Sequence, residues 1–256
     1  MAYKSKGYKE PTNPVGNVAE LFAGVGGFRI GLARAGWKTT FSNQWEPSTK
    51  VQHASDVYVA RFGEDGHSNE DISKVEKLPK KVDLLVGGFP CQPFSKSGKQ
   101  LGMDESRGTL FWNIAKIIEV RKPRLVLLEN VRNIAGPRHT HEWEVIIRTL
   151  RTLGYRVSSV PLVVSPHKIS PEHGGRPQIR ERVLIAATRD DAQRGPLAEE
   201  PDSLDLSNFY GGWNPQKWNL KADLPLRGSI EKQEKAKLSL NNTETEWIEA
   251  WNEFVL

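Results

Sequence analysis

Cysteine is almost absent from this chain: among its 256 residues there is one, Cys91. A single thiol excludes an internal disulfide and a zinc site built from cysteines, and it favours a reducing compartment such as the cytoplasm. Long apolar runs are also missing, since no stretch approaches the ~20 apolar residues of a membrane span. The opening residues, MAYKSKGYKEP, lack the apolar core of a secretory signal. The sequence therefore predicts a cytoplasmic protein without a membrane anchor or metal centre, long enough for one large domain.

The net charge of +5 is divided unevenly along the chain. Residues 190–256 hold 7 Lys and Arg against 13 Asp and Glu, a balance of −6, whereas residues 1–189 hold 29 against 18, a balance of +11. A basic body suits a polyanionic partner such as nucleic acid, and an ordinary solvated surface is the alternative. Four of the eight tryptophans lie in the acidic segment, which predicts that this segment packs against something.

Between residues 17 and 189, short apolar runs alternate with stretches of helical periodicity. Strands are predicted at residues 18–22, 39–45, 82–88, 124–130, 157–164 and 182–188. Helices are predicted at residues 27–37, 48–62, 109–120 and 141–154. This alternation predicts a doubly wound α/β domain with a mostly parallel sheet. Such sheets bind ligands at the carboxyl ends of their strands.

Both ends of the chain depart from this alternation. Residues 1–16 contain turn residues without periodicity, which predicts a flexible N-terminal arm. Beyond residue 190 the pattern fails, until TETEWIEAWNEF predicts a last helix with Thr243 as its cap.

A glycine turn, ELFAGVGG at residues 20–27, joins the first strand to the first helix. Glycine allows positive φ and close backbone approach, so the turn can hold a nucleotide-like ligand. Its spacing matches neither GxGxxG nor a Walker loop. Gln44 and Trp45 end the next strand, and Asp71 and Ile72 lie near a third. An indole can stack on a purine and polar groups can bind ribose, although core packing or simple solvation also explains such residues.

Three further features stand at or near predicted strand ends. Cys91 follows VDLLVGGFP, where a thiol faces a ligand more readily than the core, although a lone cysteine is often simple packing. Glu129 closes RLVLLEN; a buried carboxyl with a raised pKa could hold a proton, and a salt bridge to lysine is the alternative. Arg180 and Arg182, two apart at a strand start, share one face. They could bind phosphate or a polar base edge, or form structural salt bridges.

Taken together, these motifs resemble the DNA cytosine-5 methyltransferases of bacterial restriction–modification and related phage-defence systems. ELFAGVGGFRIGL is similar to the family's first cofactor motif, GGFPCQPFSKSGKQLG to its catalytic loop, and RGTLFWNI to the segment that follows. LENVRNI is similar to its glutamate motif and GGRPQIRERV to its arginine motif. The motifs occur in family order over residues 17–189, which the resemblance therefore identifies as the catalytic and cofactor-binding domain.

The resemblance implies a reaction and a role for each residue. Cys91 is the nucleophile that attacks C6 of a cytosine flipped from duplex DNA, Glu129 contacts N3 and the exocyclic amine, and Arg180 and Arg182 hold the base and its backbone. The methyl donor is S-adenosylmethionine. The implied cofactor contacts are Phe22, Gly24, Gly26, Gly27, Gln44, Trp45, Asp71, Ile72, Pro90 and Leu110. The implied DNA contacts are Gln92, Ser95 and Ser97.

The chain departs from the family pattern in two ways. Gln44 stands where many relatives place a glutamate for the ribose hydroxyls. No target-recognition region of full size and no closing Gly-Asn-Ser motif follow residue 189, so residues 190–256 are predicted to be a partial recognition region or a partner-docking segment. A second chain that supplies both parts is the expected partner. The alternative function is a non-catalytic subunit that binds cofactor or DNA and regulates a partner.

Overall fold

The computed structural model describes residues 8–75, 78–90, 110–190, 204–212 and 239–255. It divides the chain into two compact units, Met1–Trp213 and Asn214–Leu256. The first unit contains all the strands described below and the predicted site residues. The domain boundaries drawn from the sequence remain predictions.

The first unit is built on an eight-stranded sheet. Its strands are β1 (Asn17–Leu21), β2 (Lys38–Asn43), β3 (His67–Ser68), β4 (Leu84–Gly88), β5 (Leu125–Val131), β6 (Tyr155–Val157), β7 (Leu162–Val164) and β8 (Arg182–Arg189). The order across the sheet is β3-β2-β1-β4-β5-β8-β6, and β7 also pairs with β8. The first five strands are parallel, while β8 runs antiparallel to its neighbours β5, β6 and β7. The predicted mostly parallel sheet is confirmed.

Among the described residues of the first unit, four α-helices connect these strands: α1 (Gly27–Arg34), α2 (His53–Phe62), α3 (Leu110–Arg121) and α4 (Thr140–Thr152). Successive side chains of a strand point to opposite faces of the sheet, and the helices pack on both of these faces. Ala19 and Leu21 of β1 belong to the large core cluster that contains apolar residues of α3 and α4. Val18 belongs to a smaller cluster that includes Phe28 of α1. The sheet is therefore doubly wound, as predicted.

The strand order reverses between β1 and β4, and their carboxyl ends lie side by side. Leu21 is in register with Gly87, and Gly88 is in register with Glu129 of β5. A Cβ on Gly87 would lie 3.1 Å from the carbonyl oxygen of Leu21, and one on Gly88 would lie 3.0 Å from Glu129 Oε2. The two glycines thus allow the strands and the Glu129 carboxylate to approach closely. Open α/β sheets place their ligand crevice at this kind of switch point.

Several predicted elements differ from the structure. The first helix ends at Arg34 rather than at residue 37, and the second strand ends at Asn43, so Gln44 and Trp45 follow that strand rather than end it. The strand predicted over residues 157–164 is two short strands, because Pro161 has no backbone N–H and Ser158 Oγ accepts a turn hydrogen bond from Val160 N (3.1 Å). The second helix begins at His53 rather than at residue 48. The preceding loop is held instead by Gln52, whose side chain bonds both backbone groups of Glu46.

In the second unit, α5 (Asn242–Val255) confirms the predicted last helix. Its predicted cap, Thr243, is wrong. Asn241 caps the helix: its Oδ1 accepts from Glu244 N, and Glu244 Oε2 accepts from Asn241 N, both at 2.9 Å. This reciprocal pair is a capping box built with asparagine. Among the described residues, no helix is long and apolar enough to cross a membrane.

Candidate active site

The glycine turn between β1 and α1 is held in left-handed backbone geometry at three positions. Phe22 and Gly24 have φ of 54° and Gly26 has φ of 86°. No heavy atom lies within 4 Å of a Cβ built on Gly24 or Gly27, so this side of the turn is open. At Gly26, by contrast, a Cβ would overlap the ring of Phe62. The turn is therefore packed from behind by α2 and open in front.

The residues predicted around the adenosine half of a cofactor lie at neighbouring strand ends. The buried Gln44 side chain accepts a hydrogen bond from Gly24 N with Oε1 (2.7 Å), so it fixes the glycine turn directly. Trp45 is 37% exposed. Asp71 Oδ1 accepts from the backbone and hydroxyl of Ser73 at 2.9 and 2.8 Å. Ile72 is buried.

These features fit S-adenosylmethionine. The open front of the turn leaves room for backbone to approach the methionine part, the half-exposed indole can stack on adenine, and the amide and carboxylate suit ribose and amine groups. Leu110, at the start of α3, and Phe22 pack against the edge of the large core cluster. Pro90 is exposed beyond the end of β4.

The described chain leaves the sheet after β4, just before the predicted nucleophile in the sequence. Phe89 is buried, and its carbonyl oxygen accepts a hydrogen bond from the amide of Asn130 (2.9 Å). Asn130 itself is 1% exposed, and its Oδ1 accepts from Val131 N. The sequence alone assigns Asn130 no role, yet its hydrogen bond to Phe89 links the LENVRNI motif to the GGFPCQPFSKSGKQLG motif. Four predicted site residues lie outside the described residues: Cys91, Gln92, Ser95 and Ser97.

Glu129 and Arg182 form an ion pair across neighbouring strands. Arg182 Nε lies 2.8 Å from Glu129 Oε1, and the two side chains are 23% and 28% exposed. Arg182 also donates through a terminal guanidinium nitrogen to the carbonyl oxygen of Glu181 (2.8 Å). The partner of Glu129 is thus an arginine, where the alternative drawn from sequence was a lysine. Antiparallel pairing of β5 with β8 creates this contact, because it sets Glu129 in register with Leu184.

Arg180 lies just before β8 rather than at its first residues, and its backbone N donates to Ser165 Oγ (2.9 Å). It nevertheless lines the same cleft as Glu129 and Arg182, a space of about 510 Å³. The other walls come from α1, from the end of β7 and the chain after it, and from β8. They are Gly27, Phe28, Gly31, Leu32, Val164, Ser165, Pro166, Ile169 and Leu184. The structure thus brings the three predicted base-contacting residues to one cleft beside the glycine turn.

A buried polar network behind the glycine turn was not foreseen. Glu20 in β1 is fully buried; its Oε2 accepts from the Tyr58 hydroxyl (2.9 Å) and its Oε1 accepts from Arg29 N (3.3 Å). Burial raises the pKa of Glu20 to about 7. The acidic residue within the apolar run VAELF was the signal available in the sequence. Among the described residues, no three His, Cys, Asp or Glu side chains form a group that could hold a metal ion.

Two solved structures share this fold. A mutant of Spodoptera frugiperda DNMT2 matches with a TM-score of 0.52 at 22% identity, covering 70% of this chain and 51% of that one. A prophage-encoded protein of E. coli matches with a TM-score of 0.51 at 24% identity, covering 68% of this chain and 46% of that one.

Curated relatives are closer in sequence. The Type II methyltransferase M.AluI of Cellulosimicrobium cellulans is 39% identical over 260 residues, covering 91% of this chain and 50% of that protein. The Type II methyltransferase M.HhaI of Haemophilus parahaemolyticus is 40% identical over 173 residues, covering 67% and 49% respectively. The chain therefore spans about half the length of the curated relatives it matches. A family model described as C-5 cytosine-specific DNA methylase matches residues 16–252. The chain belongs to that family, whose methyl donor is S-adenosylmethionine.

Proposed function

We propose that this chain is the catalytic part of a DNA cytosine-5 methyltransferase that acts on duplex DNA. The observation that carries the proposal is the ion pair between Glu129 and Arg182 (2.8 Å), which stands in one cleft with Arg180 at the carboxyl end of the sheet. That cleft adjoins the glycine turn. A base held by Glu129, Arg180 and Arg182 would therefore lie near a methyl donor held by the glycine turn.

In the proposed reaction, the thiolate of Cys91 adds to C6 of a cytosine. This addition makes C5 nucleophilic, so that C5 gains the methyl group as the carbon–sulfur bond of the donor breaks. When bound, S-adenosylmethionine supplies that methyl group as an electrophile. A base then removes the C5 proton, and elimination of the Cys91 thiolate restores the aromatic ring. The C5 proton passes to that base, and the proton supplied to N3 returns to Glu129 when the thiolate leaves, so atoms and charges balance.

The other residues bind and orient the base. Glu129 contacts N3 and the exocyclic amine of cytosine, and supplies the proton that makes attack at C6 feasible. Arg182 already holds the Glu129 carboxylate, so it fixes the direction in which that carboxylate points. Asn130 anchors the carbonyl of Phe89, two residues before Cys91, and so positions the start of the catalytic loop. Because C6 cannot be reached inside a stacked duplex, the cytosine must be flipped into the cleft.

Transfer of tritiated methyl from S-adenosylmethionine to cytosine-containing duplex DNA tests this proposal. Wild type should label the DNA, and duplex containing 5-fluorocytosine should trap a covalent adduct, because fluorine does not leave as a proton does. Cys91→Ser should abolish both while it leaves cofactor binding within a few-fold. Methylation by the serine variant, or a trapped peptide without Cys91, would disprove the mechanism.

We also propose that the remaining half of a full-length relative, on a second chain or in a longer form of this one, supplies target recognition. Two observations support this. The chain spans about half the length of its curated relatives, and the acidic residues 190–256 would be repelled by DNA phosphates. Sequence is read by contacts to base edges, whereas phosphate contacts mainly add affinity. Residues 1–256 alone should therefore bind DNA weakly, with strong salt dependence and little sequence preference.

A non-catalytic subunit that binds cofactor or DNA to regulate a partner is the second candidate, because residues 190–256 contain no closing Gly-Asn-Ser motif. The two candidates differ in one assay. Methyl transfer measured with and without a second polypeptide that supplies target recognition should show specific labelling only when that polypeptide is present. Labelling that survives Cys91→Ser in this chain would place catalysis in the partner and favour the regulatory role. The physiological setting we propose is restriction–modification or a related phage defence.

A further inference from the structure

Arg29, in the first turns of α1, lies between two tyrosine–glutamate pairs that the catalytic proposal does not use. Its side chain is 7% exposed. One pair, Tyr8 and Glu10, comes from the N-terminal arm, and the other, Tyr58 and Glu20, comes from α2 and β1. A buried guanidinium needs charged or hydrogen-bonding partners on every side, since an unpaired buried charge is costly.

The arm pair encloses the outer side of the guanidinium. The Tyr8 hydroxyl donates to Glu10 Oε1 (2.5 Å) and accepts from Arg29 Nε (2.8 Å). Glu10 Oε1 also lies 2.5 Å from a terminal nitrogen of Arg29, and the Glu10 side chain is 35% exposed. The Tyr8 ring packs edge-on against Phe62, with ring centroids 4.7 Å apart.

The inner pair repeats this arrangement in the core. The Tyr58 hydroxyl donates to Glu20 Oε2 (2.9 Å) and accepts from the guanidinium of Arg29 (3.3 Å). Glu20 Oε1 accepts from the backbone N of Arg29 (3.3 Å), so Glu20 also holds the first turn of α1. The guanidinium carbon lies 4.7 Å from the ring centroid of Phe62, which adds a cation–π contact.

Phe62 connects this cluster to the glycine turn. Its ring contacts Tyr8, Tyr58 and Arg29, and it fills the space in which a Cβ of Gly26 would lie. Gly26 is the left-handed residue that ends the turn, immediately before α1. Any shift of Phe62 or of the first turn of α1 must therefore change the geometry of the turn.

We propose that Tyr8 and Glu10 of the N-terminal arm are positioning residues, which act through Arg29 and Phe62 to hold the glycine turn in the conformation that receives the methyl donor. The inference rests on the proposed role of this turn in cofactor binding. The arm supplies the carboxylate and the hydroxyl that contact the outer side of the Arg29 guanidinium. Its Tyr8 ring also packs against Phe62, the side chain that contacts Gly26.

The protonation state of Glu20 makes this dependence testable by pH. Burial raises the pKa of Glu20 to about 7, so below that value the inner pair loses its negative charge. The remaining carboxylate facing Arg29 is then Glu10. Burial, and next the charge of Arg29, lower the pKa of His67, which stacks on Tyr58, so His67 adds no competing charge near neutral pH. Burial also raises the pKa of Tyr8 to about 12, so its hydroxyl stays neutral.

The test uses Glu10→Gln and Tyr8→Phe in the full chain, with Glu64→Gln, an exposed acidic residue, as the matched control. Amide hydrogen exchange of residues 22–29 is measured without cofactor. Glu10→Gln should accelerate this exchange by about tenfold, the effect of losing one charge-assisted hydrogen bond. The acceleration should be larger at about pH 6 than at about pH 8, after correction for intrinsic exchange, because ionised Glu20 replaces Glu10 only at the higher pH. Tyr8→Phe should act in the same direction with a smaller effect.

Calorimetric binding of S-adenosylmethionine gives the second measurement. Glu10→Gln should weaken binding by about tenfold with the same pH trend, whereas Glu64→Gln should bind as wild type does. Exchange in residues 22–29 that stays at the wild-type rate in both arm variants would overturn the inference, as would an acceleration spread evenly over the whole domain. Failure of wild type itself to bind the cofactor would instead refute the proposed function of the turn, and the exchange result would still decide the inference.

Discussion

Two glutamate–arginine pairs lie at the two sides of the candidate site, and they differ in burial. Glu20 and Arg29, behind the glycine turn, are 0% and 6% exposed. Glu129 and Arg182, on the wall of the cleft, have side chains that are 28% and 23% exposed and meet directly at 2.8 Å. In the first pair the carboxylate instead bonds the backbone of Arg29 and the hydroxyl of Tyr58.

The difference shows how burial separates structural from functional roles. Every charged group behind the turn is bonded to protein, so changing one partner exposes another to an apolar environment at high cost. The pair in the cleft is partly solvated, so its members can exchange partners with a ligand at modest cost. We therefore expect the cleft pair to affect chiefly activity and the buried pair to affect chiefly stability.

Glu129→Gln should produce the largest effect and is the sharpest test of this difference. Methyl transfer should fall by about 10²–10⁴-fold, because the variant cannot supply the proton to N3. The free energy of unfolding, from urea denaturation, should change by about 1 kcal/mol or less. Glu119→Gln, exposed on α3, is the control and should alter neither quantity. A Glu129→Gln protein that is strongly destabilised would show that the cleft pair is structural.

Arg29→Gln tests the buried side. It should lower the free energy of unfolding by about 3–5 kcal/mol, because Glu20 loses its cationic neighbour inside the core. Arg34→Gln on the same helix is exposed and should be close to neutral. Equal midpoints of urea unfolding for the two variants would contradict the structural role of the buried network.

The pH dependence of the free energy of unfolding gives a second test of the buried side, through Glu20. Since the folded-state pKa of Glu20 is about 7 against an ordinary value of 4.5, the folded state binds its proton more tightly than the unfolded state does. The stabilisation that the raised pKa of Glu20 gives the folded state is fully present below pH 4.5 and is lost as pH rises through about 7. This contribution to the free energy of unfolding totals about 3 kcal/mol. Urea midpoints across this window should fall with rising pH in wild type and fall less in Glu20→Gln. Identical slopes in the two proteins would show that Glu20 does not titrate in this range.

Gly24→Ala should have only a small effect on the free energy of unfolding. The residue has φ of 54° and open space around its Cβ position, so the cost is a strained backbone of about 1–2 kcal/mol. Gly154, with φ of 89° and equally open surroundings, is the control and lies just after the end of α4. Both variants should unfold alike, yet only Gly24→Ala should weaken cofactor binding by calorimetry. Equal affinities would place the cofactor away from the turn.

Much of this site was predictable from local pattern. Runs such as VDLLVGG and RLVLLEN marked strands, and the glycine turn, Cys91 and Glu129 were recognised by their positions after them. The two-residue strand β3 was missed because His67 and Ser68 carry no apolar pattern. The sequence predicts Thr243 as the cap because this residue begins the apolar-periodic segment, whereas Asn241 makes the capping bonds. The buried network was missed because Tyr58 lies 38 residues from Glu20.

By itself the sequence determined the order of strands and helices and the family to which the chain belongs. Those features reside in residues that are adjacent along the chain, where periodicity and motif spacing can be read directly. Only the tertiary structure decided which charges pair: Arg182 with Glu129, and Arg29 with Glu10. Several arginines and glutamates were equally eligible in sequence. The choice depends on which strands become neighbours and on how far each side chain is removed from water, and both are set by the packing of distant segments.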